Sequence, residues 1–292
     1  MDVDIDAAGA VSTRQKFATV APLAQGLGIL SGAGLLLVQD GGSILRVNIG
    51  ATVTTTTLVS GLNATARVAF HAHAGQVFWS NGIVSGRITA DGAALNWGCS
   101  VCPTPTLTTA VGTLPAGDYL VAATFLDASG IEHGAGVAAA VTLNGAHSIA
   151  ASVGTLDPAA THVRFYLAGP DDDALYRVGD VAVGSLPAAI TTLPTADYQC
   201  DRVGLAPPPP ASAILSYGDY LVLVDGAWLW PSVGAASHLY EIGRLGWQVP
   251  ETILSGAGVD DGFWAVTAKD AYWFQGGGEP HEWRMRALNL GL

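Results

Sequence analysis

Reactive side chains are few and scattered along this 292-residue chain. Cys99 and Cys102 form a lone C-x-x-C. Zinc wants four ligands, and the third cysteine, Cys200, stands far off. His71 and His73 are two apart, so on a strand they share a face and could both reach one metal ion. No further ligands follow at a recognisable spacing. Asp2, Asp4 and Asp6 ahead of Gly9 imitate a calcium loop. That loop needs Gly at its sixth position and Glu at its twelfth, and counting from Asp2 these are Ala7 and Thr13. Asp171, Asp172 and Asp173 follow Gly169-Pro170 and read as a solvated loop tip. Asp260 with Asp261, and Glu279 with Glu282, are the nominal acid pairs for glycoside cleavage, a chemistry without a local motif; each reads as turn or surface acid. There is no Gly-x-Ser-x-Gly, no His-Glu-x-x-His and no phosphate-binding loop. Gly26 to Gly32 is glycine-rich without a following lysine and is expected to be a loop. The sequence therefore assigns no catalytic residue, no metal and no cofactor, and the expectation is a protein that is not an enzyme.

The aromatic residues carry more information. Six of the eight tryptophans, Trp228, Trp230, Trp247, Trp264, Trp273 and Trp283, crowd the last part of the chain. On strands some of these must pack between sheets. The others are candidates for a subunit interface or a sugar-binding face, both of which use aromatic anchors.

Composition narrows the classes further. Half of the residues are hydrophobic, only 12% are charged, and the net charge is -12 with just two lysines, Lys16 and Lys269. A mean hydropathy of +0.38 excludes a disordered chain. Cations are too few to grip nucleic acid by counterion release. No apolar run reaches the length of a membrane-spanning helix, so no membrane insertion is expected. The three early aspartates do not read as a secretory signal.

The elements that must hold these residues are strands. Asp2-Val3-Asp4-Ile5-Asp6 alternates strictly, turns, and returns along Val11 to Arg14 as a hairpin. Four segments resemble one another, beginning at Gly34, Gly75, Gly218 and Gly262. Each places a turn, an apolar strand, a tight Asn or Asp turn and a second apolar strand. Within each pair the spacing is about 40–45 residues, that of β-propeller blades. Asn81-Gly82 is the strongest hairpin signal among them. Ser237 to Arg244 is the one short helix candidate. Between Cys99-Ser-Val-Cys-Pro-Thr-Pro105 and Ala206 with its four prolines the texture changes. Gly117 to Asp127 is a long strand; Val137–Leu143, Ser148–Val153, His162–Leu167, Leu175–Gly179 and Val181–Val183 follow. About seven strands at roughly ten-residue spacing read as a small sandwich. The expected fold is thus all-β. Residues 1–100 and 207–292 form a discontinuous propeller-like domain, residues 103–203 an inserted β-sandwich, and 99–105 and 204–210 the linkers.

This layout resembles bacteriophage virion proteins of short-tailed phages, in the tail nozzle or hub (tail tubular) class. The resemblance rests on the Asp-rich strand 2–6 with its return Val11-Ser-Thr-Arg14, on Val68-Ala-Phe-His71 to Trp79-Ser-Asn-Gly82, and on Trp97-Gly98 leading to Pro103-Thr-Pro105. It continues with Leu114-Pro-Ala-Gly-Asp-Tyr-Leu120 entering a fibronectin-III-like module, then Asp157-Pro158, Val163-Arg-Phe-Tyr166 and Leu175-Tyr-Arg177, and with the resumption at Ile214 to Trp230. Two departures stand beside it: only four blade-like pieces are visible, and the pattern stops at Asn289-Leu-Gly-Leu292. The resemblance implies a structural subunit of a virion tail, assembled in the bacterial cytoplasm, where thiols stay reduced. It implies a homo-oligomeric ring, six-fold in the class, that contacts adaptor and fibre proteins while viral double-stranded DNA passes through unbound. Asp2, Val3, Asp4, Ile5 and Asp6 are then the candidate closing or interface strand, because an unpaired alternating strand is an exposed edge. Cys99 or Cys102 could meet Cys200 where the two linkers come together. The readings from other classes are a carbohydrate-binding or glycan-cleaving propeller with the tryptophans as platform, and a receptor-binding adhesin.

Overall fold

The computed structural model describes residues 3–5, 11–13 and 23–289. The fold is all-β, with every sheet antiparallel. β1 (Val3–Ile5) and β2 (Val11–Thr13) pair as a hairpin; Asp2 and Asp6 lie outside the described residues. A first four-stranded meander follows, β3 (Gly26–Gly32), β4 (Leu35–Asp40), β5 (Ser43–Ile49) and β6 (Val53–Val59). The second is β7 (Ala69–His73), β8 (Gln76–Ser80), β9 (Ser85–Ile88) and β10 (Ala94–Leu95). The chain then builds β11 (Thr106–Leu114), β12 (Gly117–Asp127), β13 (Ala139–Leu143), β14 (His147–Ser152), β15 (Ala160–Ala168), β16 (Tyr176–Ala182) and β17 (Ala188–Ile190). It returns for a third sheet, β18 (Ala213–Tyr217), β19 (Tyr220–Asp225), β20 (Trp228–Val233) and β21 (Ala236–Tyr240), with β22 (Trp247–Gln248) also on β20. β23 (Ser255–Val259), β24 (Gly262–Val266), β25 (Asp270–Gln275) and β26 (Arg284–Asn289) form the fourth.

The four similar sequence segments are the second and third strands of these four sheets. Their turn residues do the work expected of them. Gly41 and Gly226 take positive φ (53° and 59°) after Asp40 and Asp225, a region closed to most side chains. Asn81 closes a four-residue loop in which its Oδ1 accepts the N–H groups of Ile83 (3.0 Å) and Val84 (2.9 Å).

The apolar runs in these strands are apolar because both faces are covered. On β8, Val77 and Trp79 pack on the first sheet, whereas Phe78 packs on the third. On β19, Leu221 and Leu223 face the second sheet, and Val222 and Val224 face the fourth. Three cores in series thus join the four sheets, and their first strands β3, β7, β18 and β23 are successive neighbours.

Two expectations are corrected here. Gly26 to Gly32 is not a loop but strand β3, paired along its length with β4. Its glycines answer to packing: a Cβ at Gly32 would lie 2.7 Å from that of Ala72, and one at Gly28 3.3 Å from the Val68 carbonyl oxygen. Ser237 to Arg244 is not helical. Ala236–Tyr240 is strand, and a turn follows with Gly243 at φ 83°.

The seven strands between residues 106 and 190 make two sheets, ordered β11-β14-β17 and β13-β12-β15-β16. They enclose a separate core of Tyr119, Val121, Phe125, Ile149, Phe165, Leu167 and Ile190. The Tyr119 hydroxyl donates to the Pro115 carbonyl at 2.9 Å, which pins the corner between β11 and β12. The pieces read as Leu175–Gly179 and Val181–Val183 are one strand, β16, with an irregular register opposite Phe165 and Tyr166.

Candidate functional site at the junction of the insert

The buried charged residues of this charge-poor chain, Arg87 and Glu132, lie where the two-sheet insert meets the second and third sheets, with the buried His133 beside them. Arg87, on β9, is buried and uses all three guanidinium nitrogens. They donate to the Asn96 carbonyl (3.2 Å), to Gln76 Oε1 (3.2 Å) and to Asp127 Oδ2 (3.1 Å). Asp127 ends β12, and its other oxygen accepts the N–H groups of Ser129 (2.8 Å) and Ile131 (3.0 Å). The loop so folded delivers Glu132 and His133 inward.

His133 is 2% exposed. Its Nδ1 accepts the Cys99 N–H at 3.1 Å, so the neutral ring carries its proton on Nε2. That nitrogen is 3.7 Å from Asp127 Oδ2, beyond hydrogen-bond reach. Burial, and then the neighbouring His238, push the His133 pKa down to about 4. The two imidazoles meet edge to face at 5.0 Å, and His238 Nε2 donates to the Glu132 carbonyl at 2.9 Å. The Glu132 carboxylate is fully engaged: Thr124 (2.7 Å), Tyr166, Tyr198 (3.0 Å) and Arg164 (2.9 Å) all donate to it. Arg164 also grips Asp180 through two nitrogens, at 2.7 and 2.9 Å.

Both linkers close on the same place. Ala135 bridges Cys102 on one side and Val203 on the other, with Cys102 N–H to Gly134 O at 2.9 Å and Ala135 N–H to Arg202 O at 2.9 Å. The two linkers therefore do come together, yet Cys99, Cys102 and Cys200 are all unbridged thiols. Burial pushes the Cys99 and Cys102 thiols up to about 12, so neither is a thiolate nucleophile at neutral pH. A cleft of about 380 Å³ opens beside Arg87, Asp127, Cys99 and His133. Asp127 is committed to Arg87 and to two backbone N–H groups, and His133 Nδ1 to a third, which suits this arrangement to clamping the insert.

The residues singled out by sequence are dispersed. His71 Nε2 is 2.9 Å from Ser216 Oγ, and among the described residues no three His, Cys, Asp or Glu side chains group as metal ligands. Asp172 Oδ1 accepts the N–H groups of Asp173 and Ala174 within its turn. Asp260 and Asp261 form the turn between β23 and β24. Glu279 accepts the Tyr220 hydroxyl at 3.0 Å. The tryptophans divide. Trp283 and Trp230 are in cores, and Trp247 packs on Phe274. Trp228 stacks on Trp230 at 5.0 Å, and Trp264 pairs with Trp273 on the outer face of the fourth sheet. Arg87, Asp127, Glu132, His133 and His238 were not anticipated. The available signal was a charged residue embedded between apolar strand residues, as in Gly86-Arg87-Ile88.

No protein-family model matches this chain, and no curated protein matches it.

Proposed function

We propose that the chain is a structural subunit of a short-tailed-phage tail, of the nozzle or hub class. It would form a homo-oligomeric ring around the DNA exit channel, with the insert turned toward neighbouring tail proteins. The observation that carries this reading is the way the chain spends its scarce charge. Its buried ionic groups clamp the insert to a row of blade-like sheets, the economy of a scaffold. The sequence resemblance supplies the identity of the assembly, the virion as its location and a propeller-like reading of the four sheets. The net charge of -12 supports passage of DNA without adhesion, since acidic walls repel phosphate.

Native mass spectrometry and negative-stain imaging of the purified chain test this directly. A closed ring, six-fold as the resemblance implies, is expected. A chain that stays monomeric at tens of micromolar overturns the reading. Retention of duplex DNA at low salt would overturn the account of the channel.

A further inference from the structure

β25 and β26 pair so that Trp273 stands opposite Arg286 and Gln275 opposite Arg284. Directly opposed residues share a sheet face with Cβ atoms about 4.5–5.5 Å apart, so the four side chains form a two-by-two block. The block is on the face turned away from the third core, which takes Tyr272 and Phe274 from the alternate positions. It lines an open cleft of about 670 Å³, which Tyr217, Asp261, Gly276, Gly277 and Met285 also line. Trp273 is half-buried, backed by Trp264 at 4.5 Å. Its Nε1–H donates to Gln275 Oε1 at 3.4 Å, so the amide nitrogen of Gln275 is the end left for the cleft. Arg284 and Arg286 are exposed, and neither joins an ion pair among the described residues. In a chain with 24 acids and 12 cations, two neighbouring guanidinium groups without an acid partner among the described residues call for an explanation.

We propose that this cleft binds a saccharide unit bearing a carboxylate or a phosphate. The flat, partly fixed Trp273 indole gives an apolar platform for the C–H face of a pyranose ring. The two guanidinium forks supply paired donors to an anionic oxygen, and Gln275 supplies a donor for a hydroxyl. Asp261 lines the same cleft, and like charges repel, so the ligand's anionic group is expected at the arginines and away from that carboxylate. A long polyanion such as duplex DNA meets the repulsion of the whole chain. A unit with one or two charges is governed by the groups it touches. The proposal is independent of the tail reading; it concerns an outer sheet face of the single chain.

Titration calorimetry and tryptophan fluorescence on the full chain provide the test. The probes are tetragalacturonate with its methyl ester as the uncharged counterpart, mannose 6-phosphate with mannose as the uncharged counterpart, and a short DNA duplex. At least one anionic sugar is expected to bind about tenfold or more tighter than its uncharged counterpart, and the carboxylate and phosphate arms identify which anion is preferred. Arg284→Gln with Arg286→Gln, both exposed and therefore compatible with folding, is expected to abolish that preference. Trp273→Leu is expected to weaken both charged and uncharged sugars. Equal binding of acid and ester together with equal binding of mannose 6-phosphate and mannose overturns the proposal, as do wild-type discrimination in the double arginine variant and absence of binding to every sugar at millimolar concentration. Competition by the DNA duplex for the same arginines overturns it as well.

Discussion

His133 is held in one tautomer by its surroundings, and that has a consequence for stability. Charging the ring would place a second donor on Nδ1, against the Cys99 N–H it now accepts. The groups facing it are His238, Asp127 and Arg87, and burial with His238 outweighs the acid. Its pKa is about 4 in the folded chain and about 6.5 when unfolded. Between those values the unfolded chain binds a proton that the folded chain refuses. The stability contribution is therefore complete above about pH 6.5 and is lost as pH falls toward about 4, on the order of 3 kcal/mol. In His133→Gln the side-chain carbonyl can still accept from Cys99 but cannot charge. Urea denaturation at pH 7 and pH 4.5 should show a smaller loss in this variant than in the native chain; equal losses would refute the assignment. None of this was legible in Gly130-Ile-Glu-His-Gly134, which carries no motif of its own. Its partners, Cys99, Arg87 and His238, are distant in sequence and are brought in by the long route through two linkers.

At the scale of elements, the hairpins at Gly34, Gly75, Gly218 and Gly262 were readable because turn chemistry and apolar runs coincide in them. β3 was not, because three glycines in seven residues mimic a loop. The fourth sheet repeats the device. On β23, a Cβ at Gly258 would sit 1.9 Å from the Ser216 carbonyl oxygen, and one at Gly256 2.6 Å from Leu215 Cδ2. Glycine here is what lets first strands of adjacent sheets touch. Gly258→Ala must push backbone from backbone, so a loss of about 3 kcal/mol, the upper end for overpacking, is expected. Gly154→Ala, where a Cβ would meet nothing within 4 Å, should lie within about 1 kcal/mol of the native chain. Thermal denaturation of the two variants separates them, and a harmless Gly258→Ala would show that the sheets are not in contact there. β11 is silent in the sequence for a related reason. Its Thr-rich run is largely exposed and offers no apolar stripe to read.

The whole molecule has two kinds of core, the series between the four sheets and the closed one of the insert. The change of texture between the proline clusters made that division readable from sequence. The clamp was not readable, since Cys102, Ala135 and Val203 carry no mark of meeting. Because the insert's core draws on residues 99–190 alone, its coupling to the sheets depends on the junction. Arg87 spans it from the second sheet, as His238 does from the third, with side-chain exposure of 9% against 13% for Asp127. Arg87→Met keeps the length of the side chain but leaves Asp127 partly buried without its cation. Removing one partner of such a pair costs about 3 kcal/mol at the lower end of the usual range, which applies here because Asp127 retains two backbone N–H donors. That cost falls on the junction and not on either core. The native chain should therefore melt in one calorimetric transition, and the variant in two, with early proteolytic cleavage in residues 99–105 or 204–210. A single transition lowered uniformly would mean that the insert and the sheets share their stability through contacts other than Arg87, and would deny Arg87 the role of clamp between them.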